Sequence, residues 1–369
     1  MNPRWQPLSV RWVHYWAWFT FAWALLVVSI GGLVTSKGVG MAVPDWPTTY
    51  GYNMFFFPIS QWTGGIFHEH VHRLVASLLG LWTIVLAVGL QWGAARRWVR
   101  ALGWLALGLV VVQGVLGGKR VVLNAVDVMG IPGSIFFGVL HATTAQVFLS
   151  LLATLVLGTS ATFNEWLATR EASEPRGGVE PRMGASLACM AGLVFVQLTV
   201  AASMRHQHAG LAVPDFPLAY GRLYPSTDSA TLAAINQRRT GVVDDAPVTA
   251  FQVHLHMVHR FVAVVLVAGA AWTWRRAARL GRGSRLAVRA WTGLFAVQFA
   301  LGAATVWTNK AADLATAHVA VGASILAVGV ALATMRLLGE RPVRMAFGPC
   351  GATDAFIKPC ATVAVGRPA

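Results

Sequence analysis

Long charge-free runs alternate along the chain with short segments where arginine collects. The apolar runs lie at about 12–36, 74–95, 101–118, 128–164, 183–204, 261–274 (extended back to about His254), 290–309 and 314–335. A helix needs about 20 apolar residues to cross the hydrocarbon core of a bilayer, so these runs predict eight transmembrane helices. The fourth run is longer than a span requires. Its opening, MGIPGSIFF, contains Gly and Pro and predicts entry from a loop. The first run exceeds the roughly 7–15 apolar residues of a signal peptide, and no clear small-x-small cleavage site follows, so it reads as a retained span. The fold class expected is an all-α integral membrane protein.

Composition agrees. Of 369 residues, 56% are hydrophobic and 12% charged, against about 25% charged in soluble domains. The net charge of +15 is gathered between the spans, which argues for a lipid bilayer and against a nucleic-acid partner. Arg96, Arg97 and Arg100 separate spans two and three; Arg275, Arg276, Arg279, Arg282, Arg285 and Arg289 separate spans six and seven. Arg4 and Arg11 precede span one, and Arg336, Arg341 and Arg344 follow span eight. All fall on one side, which the positive-inside rule makes cytoplasmic. A multi-pass protein of the inner (plasma) membrane follows, with both termini cytoplasmic and segments 37–70 and 205–253 outside. Lys119 and Arg120 are minor outer exceptions. Cys189, inside an apolar run, reads as a small buried hydrophobe, and Cys350 and Cys360 in the tail as reduced thiols.

The chain repeats itself. AVPDWPTTYG (42–51) and AVPDFPLAYG (212–221) agree at seven of ten positions, an offset of 170 residues from Asp45 to Asp215. HEHVHRLVA (68–76) returns as LHMVHRFVA (255–263), an offset of 187 from His72 to His259. The extra 17 residues are an insertion in the second outer segment, around YPSTDSATLAAINQRRTGVVDDAP. A weaker match joins VQGVLGG (112–118) to VQFALGA (297–303). These repeats predict two pseudo-symmetric four-helix bundles related by an axis along the membrane normal. The halves expected are 1–170 and 180–340, with a cytoplasmic tail at 341–369.

His68-Glu69-His70-Val71-His72 fits H-E-x-x-H, a zinc-hydrolase pattern. The second copy does not keep it, because Leu255 and His256 stand for His68 and Glu69, and no third ligand is evident in the first half. What both copies retain is His72-Arg73 and His259-Arg260. Four of the eleven histidines fall near the outer ends of the even-numbered spans: His72, His141, His259 and His318. A pair on two helices of one bundle suits an iron porphyrin, which takes axial ligands from opposite faces. A lone intramembrane histidine is commonly a helix–helix hydrogen-bond partner; four at matching depths in two repeats favour metal ligation. Small residues in HATTA (141–145) and HVAVGA (318–323) leave room for a flat ring. His14 reads as a packing residue; His68, His70, His206, His208, His254 and His256 read as solvated or lining the site. Arg73 and Arg260 can reach a propionate at the porphyrin rim or snorkel to headgroups. Glu69, three residues before His72, shares its helix face and has no acidic counterpart in the second half.

Together, EHVHR (69–73), VPDWP (43–47), VPDFP (213–217), the second-half HxxHR, His141 and His318 resemble the heme A synthase family over nearly all of residues 10–340. That resemblance implies oxidation of the C8 methyl of heme O to a formyl group, giving heme A for aa3-type cytochrome oxidase. It implies heme b as cofactor in the C-terminal half, held by His259 and His318, with Arg260 beside it. It implies heme O as substrate in the N-terminal half, between His72 and His141 with Arg73, and Glu69 as the catalytic acid. Expected partners are heme O synthase (the protoheme farnesyltransferase), the cytochrome oxidase assembly pathway and an external electron acceptor, with water as the oxygen source. Many bacterial members carry a cysteine pair in the first outer segment; residues 37–70 and 205–253 here contain none. The alternative is a di-heme, quinol-linked electron-transfer cytochrome with no chemistry of its own.

Overall fold

The computed structural model describes residues 8–94, 96–172, 183–239 and 246–339. Arg4, Arg341, Arg344, Cys350, Cys360 and the tail 341–369 lie outside the described residues. The helices run α1 (Leu8–Ser36), α2 (Gly64–Gly93), α3 (Arg97–Val122), α4 (Gly133–Thr159), a short α5 (Ala161–Ala172), α6 (Met183–His206), a short α7 (Ser229–Arg238), α8 (Ala250–Arg276), α9 (Arg282–Trp307) and α10 (Ala312–Gly339). Among the described residues, eight helices are long and apolar enough to cross a membrane, and they match the eight runs read from the sequence.

Two boundaries differ from the hydropathy pattern. Helix α2 begins at Gly64, ten residues before its apolar run, because Glu69, His70 and Arg73 find hydrogen-bond partners within the protein. Before α4, a two-stranded hairpin (β1, Asp127–Val128; β2, Ile131–Pro132) turns through Met129 and Gly130, both with positive φ. That is the handedness that matches strand twist in a tight hairpin. Helix α4 starts directly after Pro132, so the Gly/Pro opening of the fourth run is indeed a loop. Helix α5 was not expected from hydropathy. It is tied to the α2–α3 connection by Arg96, which donates to Asn164 and pairs with Glu171, and Gly339 at the end of α10 abuts the Trp166 ring.

Helices α1 and α2, α2 and α3, α3 and α4, and α4 and α1 are in contact; so are α6 and α8, α8 and α9, α9 and α10, and α10 and α6. Helix α10 also packs on α1 and α4, and α4 on α6. One core centres on Leu86, Leu90, Leu149, Leu152 and Leu155 and includes Ala323 and Ala327 of α10. A second gathers Met183, Leu187, Trp291, Phe295, Ile325 and Leu326. Lipid is as apolar as leucine, so close helix approach rests on fit and small residues rather than on escape from water. Gly329 shows this: a Cβ there would stand 2.8 Å from the Trp291 ring, whose indole N–H donates to the Ile325 carbonyl at 2.8 Å. Hydroxyls inside the spans are satisfied locally, as when Thr20, Thr83 and Thr154 donate to the carbonyl four residues back. Cys189 corrects an expectation: it lies exposed on α6 instead of buried, on an outward face of a span.

Candidate functional site

The outer segments are built alike. Asp45 accepts hydrogen bonds from the Tyr50 and Gly51 N–H groups and from the Thr48 hydroxyl; Asp215 accepts from the Tyr220 and Gly221 N–H groups. The Tyr50 hydroxyl donates to the Ala42 carbonyl at 2.7 Å and that of Tyr220 to the Ala212 carbonyl at 2.6 Å. Each segment is strapped to the following long helix by an arginine. Arg73 donates to the carbonyls of Val43, Asp45 and Thr48, and Arg260 to those of Val213, Asp215 and Leu218. Burial alone would raise the Asp45 carboxyl, but its three donors outweigh burial and hold it below the ordinary carboxylate range.

Glu69 is buried, 5% exposed. One carboxylate oxygen accepts from the Val43 N–H and the other from Arg73, both at 2.9 Å. At the matching place in the second half, Nδ1 of His256 accepts from the Val213 N–H at 3.3 Å. Each Glu69 oxygen keeps a second lone pair for a further partner.

Two of the four histidines, His141 and His318, are set by neighbours that the weak repeat already contains. Nδ1 of His141 lies 3.1 Å from the Gln113 carbonyl, and Nδ1 of His318 lies 3.1 Å from the Gln298 carbonyl. A carbonyl only accepts, so Nδ1 carries the proton and Nε2 presents its lone pair. Metal-ligating histidines are usually fixed in this way. Glycines make room: a Cβ on Gly117 would stand 3.3 Å from the His141 ring, on Gly302 3.1 Å from the His318 ring, and on Gly31 2.9 Å from the His72 ring. Nδ1 of His72 and Nδ1 of His259 are buried without a hydrogen-bond partner.

A cavity of about 880 Å³ is lined by His259, His318, Arg260, Phe216, Gln197 and Arg205, among others. Ligand pockets usually span about 300–1,000 Å³. The His259 and His318 rings are 6.4 Å apart between centres and inclined at 68°. Imidazole nitrogens bind first-row metals at about 2.0–2.1 Å and sit about 1.1 Å from the ring centre, so two rings on one iron are roughly 6.2–6.4 Å apart. Nε2 of His318 meets the Gln298 side-chain amide at 3.4 Å, a long contact that a metal would replace. The residues present therefore fit a bis-histidine porphyrin in this cavity.

The zinc reading finds no support in geometry. His68 is engaged by Lys37 at 2.9 Å, and among the described residues no three His, Cys, Asp or Glu side chains converge on a metal position. His14 packs as expected, bonded to Thr159 at 3.0 Å. His70 and His256 are buried, 0% and 3% exposed, and not solvated: His70 packs against Phe57 and Trp62, and His256 lines the cavity, the second of the two expected places. His254 is at the surface with Tyr224 and Thr227. Sequence reading takes Arg120 only as an outer exception to the charge bias and passes over Arg205; Arg120 acts on the first-half histidines, while Arg205 acts on His206 and His318 and lines the second-half cavity. The signal for Arg120 was there, as a cation at the outer end of a span.

A family model described as cytochrome oxidase assembly protein matches residues 57–330. Relatives named heme A synthase include one from Methylobacterium radiotolerans, 27% identical over 349 residues, covering 85% of this chain and 87% of that protein. One from Halalkalibacterium halodurans is 25% identical, covering 80% of this chain and 87% of its own length. One from Hyphomonas neptunium is 22% identical over 60% of this chain, which spans 66% of that relative's length.

Proposed function

The chain belongs to the heme A synthase family of cytochrome oxidase assembly proteins, and from that premise we propose that it oxidises the C8 methyl of heme O to the formyl group of heme A. The observation that carries this reading is the histidine arrangement: His141 and His318 each fixed through Nδ1 on a backbone carbonyl, with His259 and His318 spaced for a shared iron. On this reading residues 1–170 and 180–340 are two pseudo-symmetric four-helix halves, supported by the matching straps of Arg73 and Arg260. His259 and His318 hold heme b in the second half, with Arg260 beside it; His72 and His141 hold substrate heme O in the first. Heme b supplies one-electron redox chemistry when bound.

Turning a methyl into a formyl group removes four electrons and four protons and adds one oxygen, here from water, with an external acceptor taking the electrons. Glu69 carries out the proton work. It lies one helical turn before His72, buried, with free lone pairs on an anchored carboxylate, as a positioned general base requires. Arg73 and the Val43 N–H hold that carboxylate in one orientation. Arg73 spends its donors on the outer segment and Glu69, so its part in substrate binding is to shape the pocket wall. The histidines lie toward the outer face of the plasma membrane and both termini on the cytoplasmic side, as the arginine bias requires. Heme O comes from heme O synthase, and heme A passes to aa3-type oxidase.

The test is pigment analysis of cells that make heme O and express this chain. Heme A should appear with the chain and be absent without it. Heme B alone would overturn the reading and leave an electron-carrying cytochrome.

A further inference from the structure

Arg120 lies in the last turn of α3, three residues after the glycine that abuts His141. Its Nε is buried without a hydrogen-bond partner. Its terminal nitrogens lie 3.0 and 3.3 Å from where a Cβ on Gly40 would stand, so the outer backbone closes directly over the guanidinium. Arg205 enters from α6, donating to the Gly32 carbonyl at 2.6 Å and the Ser36 hydroxyl at 3.2 Å, and borders the second-half cavity. The two guanidinium charges act on each other, and that of Arg120 also reaches His72, His141 and His206.

The acidic side chain acting on Arg120 is Glu69, whose two oxygens each already accept one hydrogen bond, from Arg73 and the Val43 N–H. Two guanidiniums, of Arg73 and Arg120, thus draw on one carboxylate, and Arg205 adds a further positive charge that acts on Arg120. An excess of buried charge is costly in a low-dielectric interior and marks a place where an opposite charge is bound. Planar guanidiniums suit carboxylates in particular. A porphyrin carries two carboxylates on one edge.

We propose that Arg120 seats a propionate carboxylate of the porphyrin held between His72 and His141; this rests on the functional reading above. Two axial histidines fix the plane of a porphyrin but not its rotation about the iron axis. A carboxylate seat on one side fixes that rotation and so decides which rim position meets Glu69. On heme O the C8 methyl shares a pyrrole ring with a propionate. Seating that propionate at Arg120, within the field of Glu69, brings the reacting methyl to the acid. At the corresponding position of the second-half repeat stands Thr305, so the device belongs to the half that carries Glu69. Arg120 is in this sense a positioning residue.

The test uses the purified full chain in detergent, titrated with iron protoporphyrin IX and with its dimethyl ester, which lacks both carboxylates; the His318→Ala background isolates first-half binding in the Soret band. The intact first-half site should prefer the free acid by about tenfold or more, the size of one charge-assisted contact. Arg120→Gln should bring the two probes to near parity, while Arg120→Lys, which keeps the charge but not the fork, should recover part of the preference. Parity in the unsubstituted site, or an undiminished preference in Arg120→Gln, overturns the inference. If Arg120→Gln yields no monodisperse protein, Arg120→Lys decides: a preference equal to that of the parent chain counts against a bidentate seat. Failure of the unsubstituted chain to bind either probe would instead sink the underlying functional reading.

Discussion

On the proposed reading, Glu69 is the residue that separates an enzyme from a carrier. Replacing it with Gln keeps the shape and an acceptor for the Val43 N–H but removes the base. Glu69→Gln should retain both porphyrin spectra and lower formyl production by about 100-fold or more, the usual contribution of a positioned general base; pigment extraction of the purified variant measures it. The glycines beside the rings make a second point. Gly302→Val would drive a branched side chain into the His318 ring, already 3.1 Å from a bare Cβ. It should abolish the low-spin absorbance of the second-half porphyrin, whereas Gly293→Ala, with open space around it, should leave that absorbance unchanged. Glu69 and the four histidines stand out in the sequence as polar side chains inside apolar runs or just before them, the histidines at matching places of the two repeats, and their roles rest on the proposed function. The match between VQGVLGG and VQFALGA looked weak, yet it carries the Gln carbonyls and glycines that fix His141 and His318. Its meaning could not be read from sequence, since the contact is between a backbone oxygen on one helix and a ring on the next. Arg120 reads in sequence only as an outer exception because a cation at a span's outer end normally snorkels to headgroups, and here the outer segment covers it.

The outer segments and the helices beneath them form single units. In Arg73→Leu the carbonyls of Val43, Asp45 and Thr48 lose their donor and Glu69 loses its ion pair. Breaking such a buried pair costs about 3–5 kcal/mol, so a lower Tm in detergent and faster proteolysis within 42–51 should appear together. The same segment responds to acid. Asp45 has a folded-state pKa below its unfolded value, so its stabilisation is present above the ordinary carboxylate range and is lost as pH falls through the depressed value. Hydrogen-exchange protection of the Tyr50 and Gly51 amides, corrected for intrinsic rates, should fall along that acid limb in the parent chain. In Asp45→Asn the amides should show no such acid transition. Sequence foretold that the VPD-containing segments matter. It did not foretell that the arginine after each histidine holds them, because the partners are carbonyls 25–30 residues away along the chain for Arg73 and 42–47 for Arg260, invisible to spacing arguments.

Helix α10 joins what the repeats divide. Its Ala323 and Ala327, both 0% exposed, belong to the core of α1–α4, while Ile325 and Leu326 belong to the core of α6, α8 and α9. Neighbouring residues of one helix thus close two cores, Ile325 from the side opposite Ala323 and Ala327, and the small alanines let α10 approach α1 and α4 closely. Hydropathy located all eight spans, but it could not show this sharing, since α10 is apolar on every side. The consequence is that the repeat boundary is not a folding boundary. A fragment ending at residue 172, expressed alone, leaves the α1 and α4 faces uncovered. It should be degraded or aggregate, despite holding a full set of four spans. Co-expressed with a fragment that begins at residue 183, it should reassemble, because the contacts of α10 with α1 and α4 do not require a continuous chain. Co-purification of the two fragments with both porphyrin signals measures the reassembly. Ala323→Phe in the second fragment should block it while sparing the His259–His318 signal, since Ala323 faces the first core alone. A stable, porphyrin-binding first fragment on its own would show that α10 is dispensable to that half.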